Sequence, residues 1–154
     1  MVAGIAIRLA TAEDATGIAA LSRIAIESGL PWRWTPTRVR RCIADAASNV
    51  VVAHVGGSPL GFAIMKYGDD TAHLLLMAVH RDARRRGAGR AMLAWLEQVA
   101  QAAGIGRIRL EARHDNEDAL RFYSRLGFVQ MALSHGYYAP GIDAVVLERR
   151  LAAR

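Results

Sequence analysis

The residues whose types and spacing carry the clearest chemistry are Arg84, Arg85, Arg86, Gly87, Ala88, Gly89 and Arg90. They follow an apolar run and open a segment with helical periodicity. A strand feeding a glycine-containing basic turn at a helix start aims several backbone N–H groups at one point, with the helix dipole behind them. Such a point binds an anion, so the chemistry implied is that of a phosphate-bearing ligand. Two other phosphate-binding turns fail on spacing. A P-loop needs Gly-Lys-Ser/Thr after an earlier glycine, whereas Gly89 is followed by Arg90 and Ala91. A dinucleotide fingerprint needs glycine or alanine where Met92 stands, and an acid roughly 20 residues on, where this chain has the stretch Gly104, Ile105, Gly106, Arg107. The plainer alternative is an arginine-rich turn capping an ordinary helix.

The elements that must position this turn can be read along the chain. Ile5, Ile7 and Leu9 alternate with Ala6, Arg8 and Ala10, the period of a half-buried strand. Thr11 then caps a helix with acids in its first turn, apolar at Ile18, Leu21, Ile24 and Ala25, running to about Ser28 and ended by Gly29. An aromatic loop with Trp32 and Trp34 leads to Thr35-Pro36, which opens a second helix with proline at the favoured first position. A β-branched strand over 49–54, the turn Gly56-Gly57 and a returning strand over 60–67 form a hairpin. The apolar run over 72–79 predicts a central strand buried on both faces. Met92, Leu96, Val99 and Ala103 predict the buried stripe of the helix after the basic turn, and Gly104 and Gly106 stop it. A strand over 107–112 follows, with Ile108 and Leu110 on one face and Arg107, Arg109 and Glu111 on the other. Ala119, Phe122, Tyr123 and Leu126 mark a short helix closed by Gly127. Two last strands, 128–133 and 144–149, are joined by a loop containing Gly136, Tyr137, Tyr138, Pro140 and Gly141. The predicted order is β-α-α-β-β-β-α-β-α-β-β.

Arg84-x-x-Gly87-x-Gly89 resembles the pyrophosphate-binding signature Gln/Arg-x-x-Gly-x-Gly/Ala of the GCN5-related N-acetyltransferase (GNAT) superfamily, which binds acetyl-coenzyme A. Asn116-x-x-Ala119-x-x-x-Tyr123-x-x-x-Gly127-Phe128 resembles a second motif of that family, at the expected separation. Leu110-Glu111-Ala112-Arg113 and Gly136-Tyr137-Tyr138 are similar to the bacterial ribosomal-protein N-terminal-alanine acetyltransferases. The resemblance covers about 74–147, with Pro31-Trp32 a fainter echo. Arg84 stands where those enzymes often have glutamine, and the region of Trp34 is unlike theirs. The resemblance implies an α/β GNAT fold: a mixed central sheet of about seven strands flanked by about four helices, in the order given above.

It also implies a reaction. Acetyl transfer from a thioester to a primary amine needs an extended donor, a deprotonated amine, a stabilised oxyanion and a protonated leaving thiolate. Backbone groups of Met77, Ala78 and Val79 would pair with the donor's pantetheine amides, and one N–H would polarise the thioester carbonyl. Residues 84–90 would hold the pyrophosphate. Glu111 is the candidate base, at the end of the strand after the glycine helix; its plainer reading is an exposed acid paired with Arg109 or Arg113. The family's tyrosine at the position of Tyr123 serves as general acid, whereas its place on an apolar stripe is equally that of a core tyrosine. Asn116 would cap its helix and also touch the pantetheine arm. Trp32 and Trp34 are either lid packing or a substrate wall, and Tyr137 and Tyr138 either line an acceptor groove or are turn aromatics. His73, His80, His114 and His135 read as surface or supporting residues, not ligands. An α-amine, pKa about 8, loses only about 1.4 kcal/mol to deprotonation at pH 7, against roughly 4.6 for a lysine side chain. An N-terminal acceptor is therefore the easier substrate. Small amines, amino acids or antibiotics are the alternative acceptors, and a non-catalytic acyl-coenzyme A or nucleic-acid binder is the alternative of another class.

Composition bounds these readings. With 154 residues, 53% hydrophobic and 22% charged, the chain is expected to be one globular domain, 1–154. No apolar run approaches a membrane span, and the first ten residues lack the long apolar region of a signal peptide, so a cytoplasmic protein is expected. The single cysteine, Cys42, excludes an internal disulfide, and no Cys/His cluster has zinc spacing, so no metal is expected. The net charge of +6 arises from 20 basic residues, all arginine except Lys66, against 14 acids. That balance suits an anionic ligand and opposes polycationic acceptors, unless the cleft is locally acidic. Direct nucleic-acid binding is not expected, because Arg107 and Arg109 have no aromatic between them. The expected partner is an amine acceptor, met by a monomer or homodimer.

Overall fold

The computed structural model describes residues 4–152; the ends of the expected 1–154 unit, including the start of the stretch read as lacking a leader, lie outside the described residues. Seven strands form one sheet: β1 (Ala6–Leu9), β2 (Ser48–Val55), β3 (Ser58–Tyr67), β4 (Thr71–Val79), β5 (Arg107–Arg113), β6 (Val129–Ala139) and β7 (Ile142–Arg150). Their spatial order is β1-β2-β3-β4-β5-β7-β6. Only β4 and β5 run parallel; the other neighbours are antiparallel. Four helices, α1 (Ala15–Ala25), α2 (Pro36–Ala44), α3 (Ala88–Ala102) and α4 (Glu117–Arg125), complete the expected order.

The helices cover the sheet in two layers, because each presents one apolar stripe and must bury it. Ile18, Leu21 and Val39 of α1 and α2 pack with Val50, Val52, Phe62 and Ile64 on one face. Met92, Leu93, Leu96 and Ala100 of α3, with Tyr123 of α4, pack with Val51, Ala63, Met65, Ile108 and Leu110 on the other. The α3 stripe thus runs through Leu93 and Ala100, not through Ala103, which caps the helix in the open. The chain leaves α3 through Gly104 at φ 78°, with Ile105 N–H returning to the Ala100 carbonyl at 3.0 Å.

Local chemistry accounts for the other ends. The Asp14 carboxylate accepts from Thr11 N–H (2.8 Å) and pairs with the Arg8 guanidinium at 2.8 and 2.9 Å. The Arg8 hydrogen bond holds the Asp14 carboxyl down at about 2, against the effect of burial. Thr11 is followed first by a single 3-10 turn and only then by α1. Leu9, expected on the buried face of β1, is 53% exposed. Pro36 begins α2, and Thr35 Oγ1 accepts from Arg38 N–H at 3.3 Å. Gly136, Tyr137 and Tyr138 were expected in a loop but belong to β6, because Pro140-Gly141, with Gly141 at φ 79°, makes a tight hairpin between Ala139 and Ile142.

One irregularity shapes everything near the basic turn. Ile64 pairs with Leu76 while Met65 pairs with Leu74, so Leu75 is an extra residue in β4. A one-residue shift exchanges the faces of a strand. Accordingly Ala72 and Leu74 join the α3 core while Leu76 and Ala78 join the α1/α2 core. Pairing of β4 with β5 ends at Leu74 and Leu110, so residues 75–79 have a strand partner on the β3 side only. On that side Gly61 lies so near that an added Cβ would sit 2.4 Å from the Ala78 carbonyl oxygen and 3.0 Å from Val79 Cα. Gly61→Ala should therefore destabilise the protein by about 1–3 kcal/mol, the usual scale of overpacking, read as a lower midpoint in urea unfolding; an unchanged midpoint would mean that β3 and β4 separate freely.

Candidate active site

Where β4 parts from β5, the gap between them becomes a cleft with two ends. The larger end, of about 670 Å³, is lined by Met77, Ala78 and Val79 of β4, by Arg84, Arg85, Gly87, Ala88, Gly89 and Arg90, and by Asn116, Phe122 and Tyr123. The smaller, of about 380 Å³, is lined by Arg33, Trp34, Arg38, Glu111, Arg113, Tyr137 and Tyr138. Ala25, Ile26, Met77, Asn116, Ala119 and Tyr123 border both. The two ends therefore adjoin along these residues, Tyr123 among them.

The basic turn at the larger end is held open by its backbone. Gly87, the N-cap of α3, has φ 90° and Arg85 has φ 65°, the only non-glycine residue with positive φ among the described residues. Left-handed residues in such a turn make a concave row of N–H groups suited to an anion. A Cβ on Gly87 would meet nothing within 4 Å, so glycine serves the dihedral there, whereas a Cβ on Gly89 would come 3.1 Å from the Phe122 ring. Gly89 thus lets α3 and α4 approach. Arg84 Nε donates to the Val79 carbonyl at 3.4 Å, tying the turn back to the strand. Arg86 lies outside the cleft lining.

Asn116 caps α4, its Oδ1 accepting from Ala119 N–H at 3.1 Å. This cap sets the helix so that Tyr123 points into the core at 8% exposure, edge-on to Phe122 and Phe128 at 5.1 and 5.5 Å between ring centres. Burial, with a contribution from Tyr138, pushes the Tyr123 hydroxyl well above its ordinary value. Its proton is held firmly.

Glu111 is half-buried rather than exposed, with its side chain only 5% accessible. It faces His73, 2.5 Å from its Nε2, and Arg109, whose Nη2 lies at 2.9 Å. The in-register pairing of His73 with Arg109 across β4 and β5 gathers all three on one face. Burial raises the Glu111 carboxyl, but the hydrogen bonds and charges of His73 and Arg109 outweigh it, and the net shift is downward. Arg113, the other expected partner, bonds instead to the Ser28 carbonyl (2.9 Å) and Asp115 (3.3 Å). His73 had no signal as a partner of Glu111, because a separation of 38 positions in sequence hides a cross-strand neighbour.

The tyrosines and tryptophans separate. Tyr138 donates its hydroxyl to the Glu111 carbonyl at 3.2 Å, and Tyr137 stands edge-on to it at 4.9 Å. Burial pushes the Tyr137 hydroxyl up, Glu111 adds to this, and the charges of Arg109, Arg38 and Arg33 act the other way. Trp34 is buried under the Arg38 guanidinium, 3.8 Å from its ring centre. Trp32 lies outside the cleft, 37% exposed, with Arg23 at 5.0 Å from its ring. Sequence reasoning missed Glu27, whose buried carboxylate accepts from Arg33 N–H (2.7 Å), Trp34 N–H (3.1 Å) and the Ser22 hydroxyl (3.0 Å). It lies beyond the end of α1, where the chain was expected to remain helical.

Residues 18–128 match the model of the Acetyltransferase (GNAT) family, and the chain belongs to it. An uncharacterized N-acetyltransferase of Methanocaldococcus jannaschii is 32% identical over 100 residues, 64% of either chain. The [ribosomal protein bS18]-alanine N-acetyltransferase of Escherichia coli is 35% identical over 82 residues, 53% of this chain and 55% of that one. The match thus spans less than two thirds of each curated relative. Among solved structures, Ard1 from Thermoplasma volcanium superposes with a TM-score of 0.84 at 26% identity, over 96% of this chain and 98% of that one. Among the described residues, no helix is long and apolar enough to cross a membrane.

Proposed function

We propose that the protein transfers an acetyl group from acetyl-coenzyme A to a primary amine, and that the amine is the α-amino group of a protein N-terminus. The observation that carries this reading is the single cleft whose anion-suited end and carboxylate-bearing end adjoin along a border that includes Tyr123.

The larger end fits the donor on two counts. The left-handed Arg85 and Gly87 present N–H groups to a pyrophosphate, and β4 beyond Leu74 keeps one edge free for an extended arm of amides. Acetyl-coenzyme A supplies the activated acyl carbon. The chain's own residues do the rest. Met77, Ala78 and Val79 offer backbone groups that align the arm, and an N–H among them stabilises the oxyanion. Asn116 fixes the head of α4 and stands beside the arm. Glu111, ionised at neutral pH because its shift is downward, attracts the acceptor ammonium and takes one of its protons, directly or through a water. As the new C–N bond forms and the C–S bond breaks, Tyr123 gives its hydroxyl proton to the departing sulfur. The second proton lost by the nitrogen as it becomes an amide passes, directly or through water, to the tyrosinate and restores it. The raised pKa of Tyr123 keeps its proton in place until the thiolate appears. Tyr137, Tyr138 and Trp34 line the acceptor end, where a peptide N-terminus enters. The bS18 relative is named for such an acceptor, and the α-amine is the cheaper one to deprotonate.

Incubation with acetyl-coenzyme A and a panel of N-terminal peptides and small amines, read by mass spectrometry, should show an added acetyl on the peptides' α-amines. Transfer confined to small amines would overturn the acceptor assignment. Gly87→Val forces a branched residue into φ 90°, and titration calorimetry should show coenzyme binding lost; retained binding would mean that the turn does not hold the pyrophosphate. Tyr123→Phe should lower kcat by about 100-fold or more with coenzyme affinity little changed, and an unaltered kcat would remove the hydroxyl from the mechanism.

A further inference from the structure

The smaller end of the cleft carries five charged side chains, and three already have their polar atoms occupied. Both carboxylate oxygens of Glu27 are taken by Arg33 N–H, Trp34 N–H and the Ser22 hydroxyl. Glu111 is held by His73 and Arg109. Arg113 spends its guanidinium on Ser28 and Asp115. Arg33 and Arg38 remain. Among the described residues neither guanidinium has an ion pair or a hydrogen-bond acceptor, and both are exposed at the mouth beside Tyr137.

Of these two cations Arg38 is placed by its side chain and Arg33 by its backbone: Trp34, itself only 9% exposed, supports the Arg38 guanidinium from below at 3.8 Å, and Glu27 pins the main chain from which Arg33 extends. Stacking one face of a guanidinium on an indole leaves its N–H edge free, and that edge matches a carboxylate in two parallel hydrogen bonds. An entering ammonium alone would meet like charge in Arg33 and Arg38, whereas an ammonium with a carboxylate close behind it would meet Glu111 at one point and the arginines at another.

We propose that Arg33 and Arg38 select an acceptor that carries a carboxylate near its amine: a peptide whose N-terminal residue is followed at once by acidic side chains, in preference to a basic N-terminus. The proposal rests on the acetyl-transfer reading and deepens it. The same chemistry is offered by a free acidic amino acid, and the two sources differ in a direct comparison.

The test compares kcat/KM for peptides identical except for glutamate, glutamine or lysine at the second and third positions, alongside free glutamate, at low and high salt. The glutamate peptide should exceed the glutamine peptide by about tenfold at low salt, the effect of roughly one good ion pair. High salt should shrink that advantage. The double variant Arg33→Glu, Arg38→Glu should invert the order and favour the lysine peptide, an outcome that loss of folding cannot mimic. Equal rates for the three peptides, or an order unmoved by charge reversal, would overturn the proposal while leaving acetyl transfer intact. Free glutamate outpacing every peptide would uphold the charge selection and assign it to a small amino acid. Absence of transfer to any amine, with coenzyme still bound in calorimetry, would overturn the underlying reading instead.

Discussion

The structure depends on the extra residue at Leu75. Without it β4 would keep one face toward α3 along its whole length and would have no reason to leave β5. With it, Leu76 and Ala78 turn to the α1/α2 layer and the strand bends away from its parallel neighbour. The bend leaves polar backbone groups with an open side in the middle of a sheet, where unpaired N–H and C=O groups are costly. They are tolerable because a cleft runs past them. The same bend puts the head of α3 at the end of that open edge, so one irregularity produces both the row of amides and the anion turn.

The two ends of the cleft draw on different segments. The larger is made by β4, the basic turn and α4, closed by Ala25 and Ile26 at the end of α1. The smaller is walled by the loop after α1, the start of α2 and the tip of the β6–β7 hairpin. Tyr123 belongs to the core of one layer and borders both ends, which is why a residue with the burial of a packing residue also occupies the junction.

Much of this was legible in the sequence, for identifiable reasons. The order of elements follows from hydrophobic period and from Gly and Pro at their turns, and the basic turn follows from glycine spacing. What stayed hidden is tertiary. The α3 stripe runs through Met92, Leu96 and Ala100, the i, i+4, i+8 row of a regular helix, with Leu93 beside it, and Ala103 drops out because the helix ends at Ala102. Leu9 alternates correctly but sits on an edge strand with too little above it to cover it. Glu111 reads as exposed on any strand pattern; only the neighbour His73, on another strand, shows that its carboxylate is covered and paired. Trp32 and Trp34 are indistinguishable in type and nearly in position, and the backbone bonds from Glu27 decide which of them turns inward. Arg33 and Arg38 carry no signal of their own in the sequence, since nothing local says that their anionic neighbours are already occupied.

The contact between Glu27 and the loop at Arg33 and Trp34 has an evolutionary corollary. Its acceptor atoms grip main-chain amides, which every residue but proline supplies, so the side chain at position 33 can be exchanged without loosening the segment that displays it. Because the segment is already ordered in the free protein, a new side chain there inherits a fixed address and no added entropic cost of immobilising the loop. On the proposed reading, selectivity at this mouth is uncoupled from the scaffold, and drift or selection can retune which amines are admitted through single substitutions while the rest of the cleft stays as it is.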